Sequence, residues 1–134
     1  MNEIIEFIEK DMLAKYLGIK FLFIEKGRAS AEMEINKNHL NSIGIVHGGA
    51  IFSLADTVFA AASNSQGRIA VAINASISYF KATKEGKLTG TAEEISLNKK
   101  LATYLVKISD NDGNVIALFQ GTAYRKEDIV PGSQ

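Results

Sequence analysis

The chain has no cysteine and no tryptophan, one proline and two histidines, and its 15 basic and 15 acidic side chains leave a formal net charge of zero. Without cysteine there is no disulfide, no thiolate metal site and no Cys nucleophile, a composition that suits a reducing cytoplasm. Without a basic run there is no electrostatic footprint for nucleic acid, and no acidic run forms a solvating tail. The N-terminal Met1-Asn2-Glu3 lacks the basic start of a secretory signal. The longest apolar segment carries Ser53, Asp56 and Asn64, and is too short and too polar to cross a bilayer. These absences predict a cytoplasmic protein with neither a membrane nor a nucleic acid as partner.

What remains is ordinary globular material: 134 residues, 46% apolar and 22% charged. That length predicts one domain, 1–134, with a core of its own. Residues 1–17 read as an N-terminal helix, because Ile4, Ile5, Ile8 and Met12 recur at helical spacing opposite Glu6, Glu9 and Lys10. Asn2 is the expected N-cap. Two strands follow, Ile19 to Lys26 and Arg28 to Asn36, divided by Gly27. From Ile69 the apolar period is two, with Ile69, Val71, Ile73, Ala75, Ile77 and Tyr79 on one predicted face. Strands at Leu88–Leu97, Leu101–Ser109 and Val115–Tyr124 are separated by short turns, the clearest being Asp110-Asn111-Asp112-Gly113-Asn114, and predict an antiparallel meander. Residues 126–134 read as a loose tail. One long helix against one sheet is an α+β architecture. The last strand is apolar on both faces, and one helix cannot cover both sides of a sheet, so a second copy of the chain is an expected partner.

Between His39 and Arg68 the only ionisable side chains are His47 and Asp56. The segment opens with His47-Gly48-Gly49 and then reads as a helix, apolar nearly all round, ending near Asn64-Ser65-Gln66-Gly67. A helix of that kind is buried. Asp56 stands in its middle, where an unpaired charge is costly. The two readings of Asp56 are a structural acid held by hydrogen bonds and a chemical one. His39, His47 and Asp56 match no zinc spacing, so no metal is expected.

Asn41, Val46-His47-Gly48-Gly49, Ser53-Leu54-Ala55-Asp56, Asn64-Ser65-Gln66-Gly67 and Ala117-Leu118-Phe119-Gln120-Gly121 together resemble the phenylacetic-acid-degradation (PaaI-type) acyl-CoA thioesterases, over roughly Gly18 to Arg125. The resemblance implies a hotdog fold, a curved, mainly antiparallel sheet wrapped around one long helix. It also implies hydrolysis of an acyl-CoA thioester, aryl or hydroxyaryl, to acid and CoA with no cofactor. By the same resemblance Asp56 is the catalytic carboxylate and Gly48 the residue whose N–H polarises the thioester carbonyl. His47 and Asn41 help to place the thioester and the water. The hydroxyl that related subgroups use to orient water is replaced by Ala60 and Ala72, leaving Thr57, Ser63 and Asn74 as substitutes. Lys99 and Lys100 are candidates for the CoA phosphates. The alternatives are a dehydratase or hydratase of the same fold, and a non-catalytic CoA-ester binding module.

Spacing adds a constraint of its own. Gly48 and Asp56 are eight residues apart, about 12 Å along a helix axis, whereas a base must come within about 3 Å of its target or one water away. A carbonyl held at Gly48 is therefore out of reach of Asp56 of the same chain. The sequence predicts an active site shared across a two-fold axis in a homodimer, itself expected to be part of a tetramer.

Overall fold

The computed structural model describes residues 1–132. Two short helices, α1 (Asn2–Ile8) and α2 (Met12–Leu17), precede strands β1 (Ile19–Glu25) and β2 (Arg28–Glu34). A connector with one 3-10 turn (Lys37–His39) leads to helix α3 (Gly48–Asn64). Strands β3 (Arg68–Tyr79), β4 (Lys87–Leu97), β5 (Leu101–Ser109) and β6 (Val115–Ile129) complete the chain. The six strands form one antiparallel sheet in the order β1-β2-β4-β5-β6-β3. The expected meander is β4-β5-β6, and β1 and β3 are the two edges.

Helix α3 lies across one face of the sheet and supplies the centre of the core. Leu54, Val58 and Ala61 are fully buried, as are Met33, Leu88, Val106, Ile108 and Phe119 on the strands beneath. Two glycines let the helix come this close. A Cβ at Gly90 would meet Ile108 at 2.9 Å and Val58 at 3.3 Å, and one at Gly121 would meet the rings of Phe119 and Phe59 at 2.9 and 3.0 Å. Phe59 packs at angles against Tyr104 and Phe119, ring centroids 5.9 and 5.6 Å apart, in the tilted geometries that aromatic quadrupoles favour. Rigid rings cannot yield to an added methyl, so Gly121→Ala is expected to lower stability by about 1–3 kcal/mol, read as an earlier urea midpoint with unchanged slope.

Five expectations need correction. The N-terminal helix is two helices, because Asp11 adopts an extended conformation and its carboxylate accepts the Ala14 N–H at 3.0 Å, starting a new helix. Met12 consequently leaves the apolar stripe and is 71% exposed. Asn2 is the first helical residue rather than the cap, and Met1 in the capping position makes no side-chain cap bond. The tail is not loose over 126–130. Strand β6 continues to Ile129, Arg68 pairs with Ile129, and Val130 is fully buried with its N–H bonded to the Gly67 carbonyl. Ser133 and Gln134 lie outside the described residues.

The other two corrections concern the surface. The apolar face of β3 is not buried: Val71, Ile73 and Tyr79 are exposed, as is every residue from Val71 to Ser76. Helix α3 is not buried all round either. Gly49 is exposed, and Phe52, Ser53, Asp56 and Ala60 are half-buried in one stripe along its length.

Candidate active site

The N-terminus of α3 is built around His47. Its ring Nδ1 accepts the Gly49 N–H at 2.7 Å, and its carbonyl accepts the N–H groups of Ala50 and Ile51. A histidine that caps a helix through Nδ1 must carry its proton on Nε2, so the exposed Nε2–H is a donor. Gly49 is required here, since a Cβ would stand 2.9 Å from His47 Nδ1. Gly48 N–H donates to no protein group among the described residues, as expected for the first residue of a helix. The start of α3 thus presents two unspent donors, Gly48 N–H and His47 Nε2–H, at the positive end of the helix dipole. That is the arrangement an oxyanion needs.

Asn41 is held beside them. Its Oδ1 accepts the N–H groups of Ile43 and Ile45, fixing the 41–45 loop. Its amide NH2 has no protein acceptor among the described residues. Asn41 and Gly48 line one cleft of about 380 Å³, together with Tyr79, Phe80 and Lys81. Tyr79 is a lining residue to which the sequence reading gave no role in the site. It is 49% exposed, and its hydroxyl donates to the Gly48 carbonyl at 3.0 Å. Its ring would meet a Cβ on Gly48 at 3.3 Å. The one signal for it is its position as the last alternating residue of β3, where the strand passes the start of the helix.

Asp56 is not in this cleft. Its carboxylate is half-buried and has no hydrogen-bond or ion-pair partner among the described residues. Burial pushes its pKa above the usual carboxylate range, and the nearby Asp11 carboxylate pushes the same way. The structural reading of Asp56 required hydrogen bonds to hold it, and none are present among the described residues. Among the water-orienting substitutes, Ser63 donates to the Ala60 carbonyl. Asn74 is exposed on β3. Thr57 is buried next to Asp56, and its hydroxyl makes no hydrogen bond among the described residues.

His39 is a scaffold residue. It is buried, its Nδ1 accepts the Asn36 N–H, and its Nε2 lies 2.9 Å from the Leu17 carbonyl. Among the described residues no three His, Asp or Glu side chains gather as a metal site. Lys99 and Lys100 are exposed in the β4–β5 turn. Arg68 binds the Lys99 carbonyl there, which fixes the turn beside the start of β3, at the opposite end of α3 from Gly48. The single chain therefore brings together Asn41, His47 and Gly48. It places Asp56 farther along the helix and the two lysines beyond its far end.

Comparison with known proteins fits this geometry. Residues 43–117, which contain the His47-Gly48-Gly49 turn and all of α3, match the thioesterase superfamily. The chain belongs to that superfamily. The acyl-coenzyme A thioesterase PaaI of Escherichia coli is 37% identical over 125 residues, 92% of this chain and 89% of that one. The solved structure of that PaaI, from the phenylacetic acid degradation operon, superposes with a TM-score of 0.92 over 96% of this chain and 94% of the other, at 35% identity. An Archaeoglobus fulgidus protein named only as a candidate esterase is 46% identical over 127 residues, 93% of this chain and 82% of that one. The chain is a thioesterase of the PaaI type, and its sheet and central helix are the hotdog fold. No helix among the described residues of this thioesterase is long and apolar enough to cross a membrane.

Proposed function

We propose that the protein hydrolyses acyl-CoA thioesters, with aryl or hydroxyaryl acyl groups as the favoured class, and that each active site is made by two copies of the chain. The observation that carries this reading is the separation of parts along α3: two free donors at its start, and an unpaired, half-buried acid two turns further on.

Edge strand β3 and the half-buried stripe of α3 supply the interface. From Ile69 to Tyr79 the strand has no charged residue, although charge is the usual protection of a free edge. Antiparallel pairing of β3 with β3 of a second copy runs the two α3 helices side by side in opposite directions. Asp56 of each copy then faces the start of the other copy's helix. The same operation carries Lys99 and Lys100 of one copy toward the cleft of the other, where they are placed to meet the CoA phosphates. A tetramer is proposed from the exposed apolar residues on the strands away from the edge, Ile95, Leu97 and Leu101 among them.

In the proposed reaction the thioester oxygen is bound by Gly48 N–H and His47 Nε2–H, which strengthen as negative charge develops on it. Asp56 takes a proton from water, and the hydroxyl of Thr57 helps to hold that water. The oxygen of the water forms a bond to the carbonyl carbon, and the C–S bond breaks to release CoA thiolate. A thiolate leaves readily without a strong general acid, which fits a site with one carboxylate. Asn41 orients the thioester through its free amide. No metal or cofactor takes part in this proposal, and the cytoplasm is its proposed location.

The test is a panel of acyl-CoA thioesters, with a thiol-reactive dye reporting free CoA. Hydrolysis of aryl members with kcat/KM above that for acetyl-CoA is the expected result. Absence of hydrolysis across the whole panel would exclude the thioesterase reading.

A further inference from the structure

The peptide group between Gly48 and Gly49 is held from both sides. Its N–H, that of Gly49, donates to His47 Nδ1 at 2.7 Å, and its carbonyl, that of Gly48, accepts the Tyr79 hydroxyl at 3.0 Å. Tyr79 is the last residue of β3 and pairs with Ala117 of β6. The chain just beyond it is tied down as well: the Phe80 N–H bonds to the Ile116 carbonyl, and the Thr83 carbonyl accepts the Val46 N–H. The phenol therefore reaches the start of α3 from the sheet, on backbone fixed independently of the helix.

The two histidines show what that contact decides. Both accept a backbone N–H at Nδ1, His39 from Asn36 and His47 from Gly49. His39 is buried, and its Nε2 lies 2.9 Å from the Leu17 carbonyl, so its ring proton is fixed from both sides. His47 is exposed, and its Nε2 has no protein partner among the described residues. Its tautomer rests on the Gly49 bond alone. In the other tautomer an Nδ1–H would face the Gly49 N–H, and a lone pair on Nε2 would face the oxygen of a bound thioester. Whatever holds the Gly48–Gly49 peptide thus decides whether His47 is a donor to substrate. A hydrogen bond accepted at an amide oxygen polarises the amide and strengthens its N–H as a donor, which is what the Tyr79 hydroxyl does here. Burial pushes the Tyr79 phenol above its ordinary pKa, so it remains a donor.

We propose that Tyr79 is a positioning residue of the active site, whose hydroxyl acts through the Gly48–Gly49 peptide to keep His47 in the Nε2–H tautomer that donates to the thioester oxygen. This rests on the thioesterase reading above. The hydroxyl touches no reacting atom in this role. The ring has a separate part, as a wall of the cleft shared with Asn41 and Gly48.

The experiment compares the full chain with its Tyr79→Phe variant, which keeps the ring and removes the hydroxyl, in two measurements. The first is steady-state hydrolysis of the best-hydrolysed member of the acyl-CoA panel above. The variant's kcat is expected to fall about three- to tenfold with KM little changed. The second is a long-range ¹H–¹⁵N correlation spectrum of the histidine rings without substrate, at a pH well above the ordinary histidine range. The chain has two histidines, so His39 serves as the internal reference. Both rings of the parent are expected as single Nε2–H tautomers, and in the variant His47 alone is expected as a mixture. Unchanged His47 signals overturn the proposal whatever the rate does. A raised KM with those signals unchanged places the hydroxyl on the substrate instead. A variant kcat equal to the parent's overturns the catalytic part of the proposal and leaves the thioesterase reading intact. A parent that hydrolyses no member of the panel removes the thioesterase reading and the role of Tyr79 in it, whereas the spectra, which need no substrate, report the Tyr79–His47 coupling separately.

Discussion

Asp56→Asn is expected to be nearly inactive and, at neutral pH, more stable than the parent. Loss of a general base costs about 10²–10⁴-fold in rate, so kcat should fall by that factor with KM little changed. The gain in stability follows from the direction of the Asp56 shift. Its pKa in the folded protein lies above its unfolded value, burial being the main cause. Below the unfolded value both states are protonated and the site costs nothing. As pH rises through the window between the two values, the unfolded chain releases its proton first and the folded state loses ground. Above the folded value the whole penalty is present, and it persists at pH 7. An amide carries no such penalty, so the variant's advantage in thermal melts should appear at neutral pH and vanish near pH 3. A variant that is inactive and also less stable at pH 7 would mean that Asp56 is a structural acid after all. The same acid defines the pH profile of the parent: the acidic limb of kcat/KM should fall above the ordinary carboxylate range. Single turnover in ¹⁸O-labelled water separates general base from nucleophile, since only attack by the carboxylate itself leaves label in the aspartate.

Mixing two inactive variants is expected to restore activity. Subunits carrying Asp56→Asn keep the donors at the start of α3, and subunits carrying His47→Ala keep the acid. In a shared-site dimer each mixed pair holds one site with both mutations and one with neither. Random exchange at equal amounts makes half of all dimers mixed, which gives about a quarter of the parent's activity from two dead components, as two-fold symmetry requires. If each site were contained within one chain, every site in the mixture would be defective and the mixture would stay at the level of its parts. The separation along α3 makes this a demanding test, because no rotamer of Asp56 crosses two helical turns to the Gly48 N–H.

Much of this was legible in the residues. Helix α3 announced itself through apolar spacing and the glycines at its start, and the meander through the Asn98-Lys99-Lys100 and Asp110–Asn114 turns. The structure places Asn41 and Gly48 on one cleft and Asp56 farther along α3. Other features were hidden for physical reasons. The break at Asp11 was masked because Ile8 and Met12 keep helical spacing across it, while the cap that creates it is a single side-chain bond. Residues Lys126-Glu127-Asp128 look like a solvated tail, yet a strand exposed on its faces can carry charge, and backbone pairing with β3 holds it. For β3 the period-two pattern located an apolar face correctly, but a pattern within one chain does not say whether that face is covered by the same chain or by another. Tyr79, the last residue of that face, is exposed in the single chain.

The uncharged edge of β3 has a consequence for how the protein is made. The opposite edge, β1, is guarded by a bulge between Phe21 and Phe23 and by Lys20 at its start. β3 has an irregularity of its own between Ala72 and Asn74 but no charged residue from Ile69 to Tyr79, so a newly made chain offers an uncharged template to any extended segment it meets. In the proposed dimer that hazard lasts only until a second copy arrives. Resistance to unfolding should then rise with protein concentration, and a diluted or slowly made chain should be lost to precipitation rather than kept as a stable monomer.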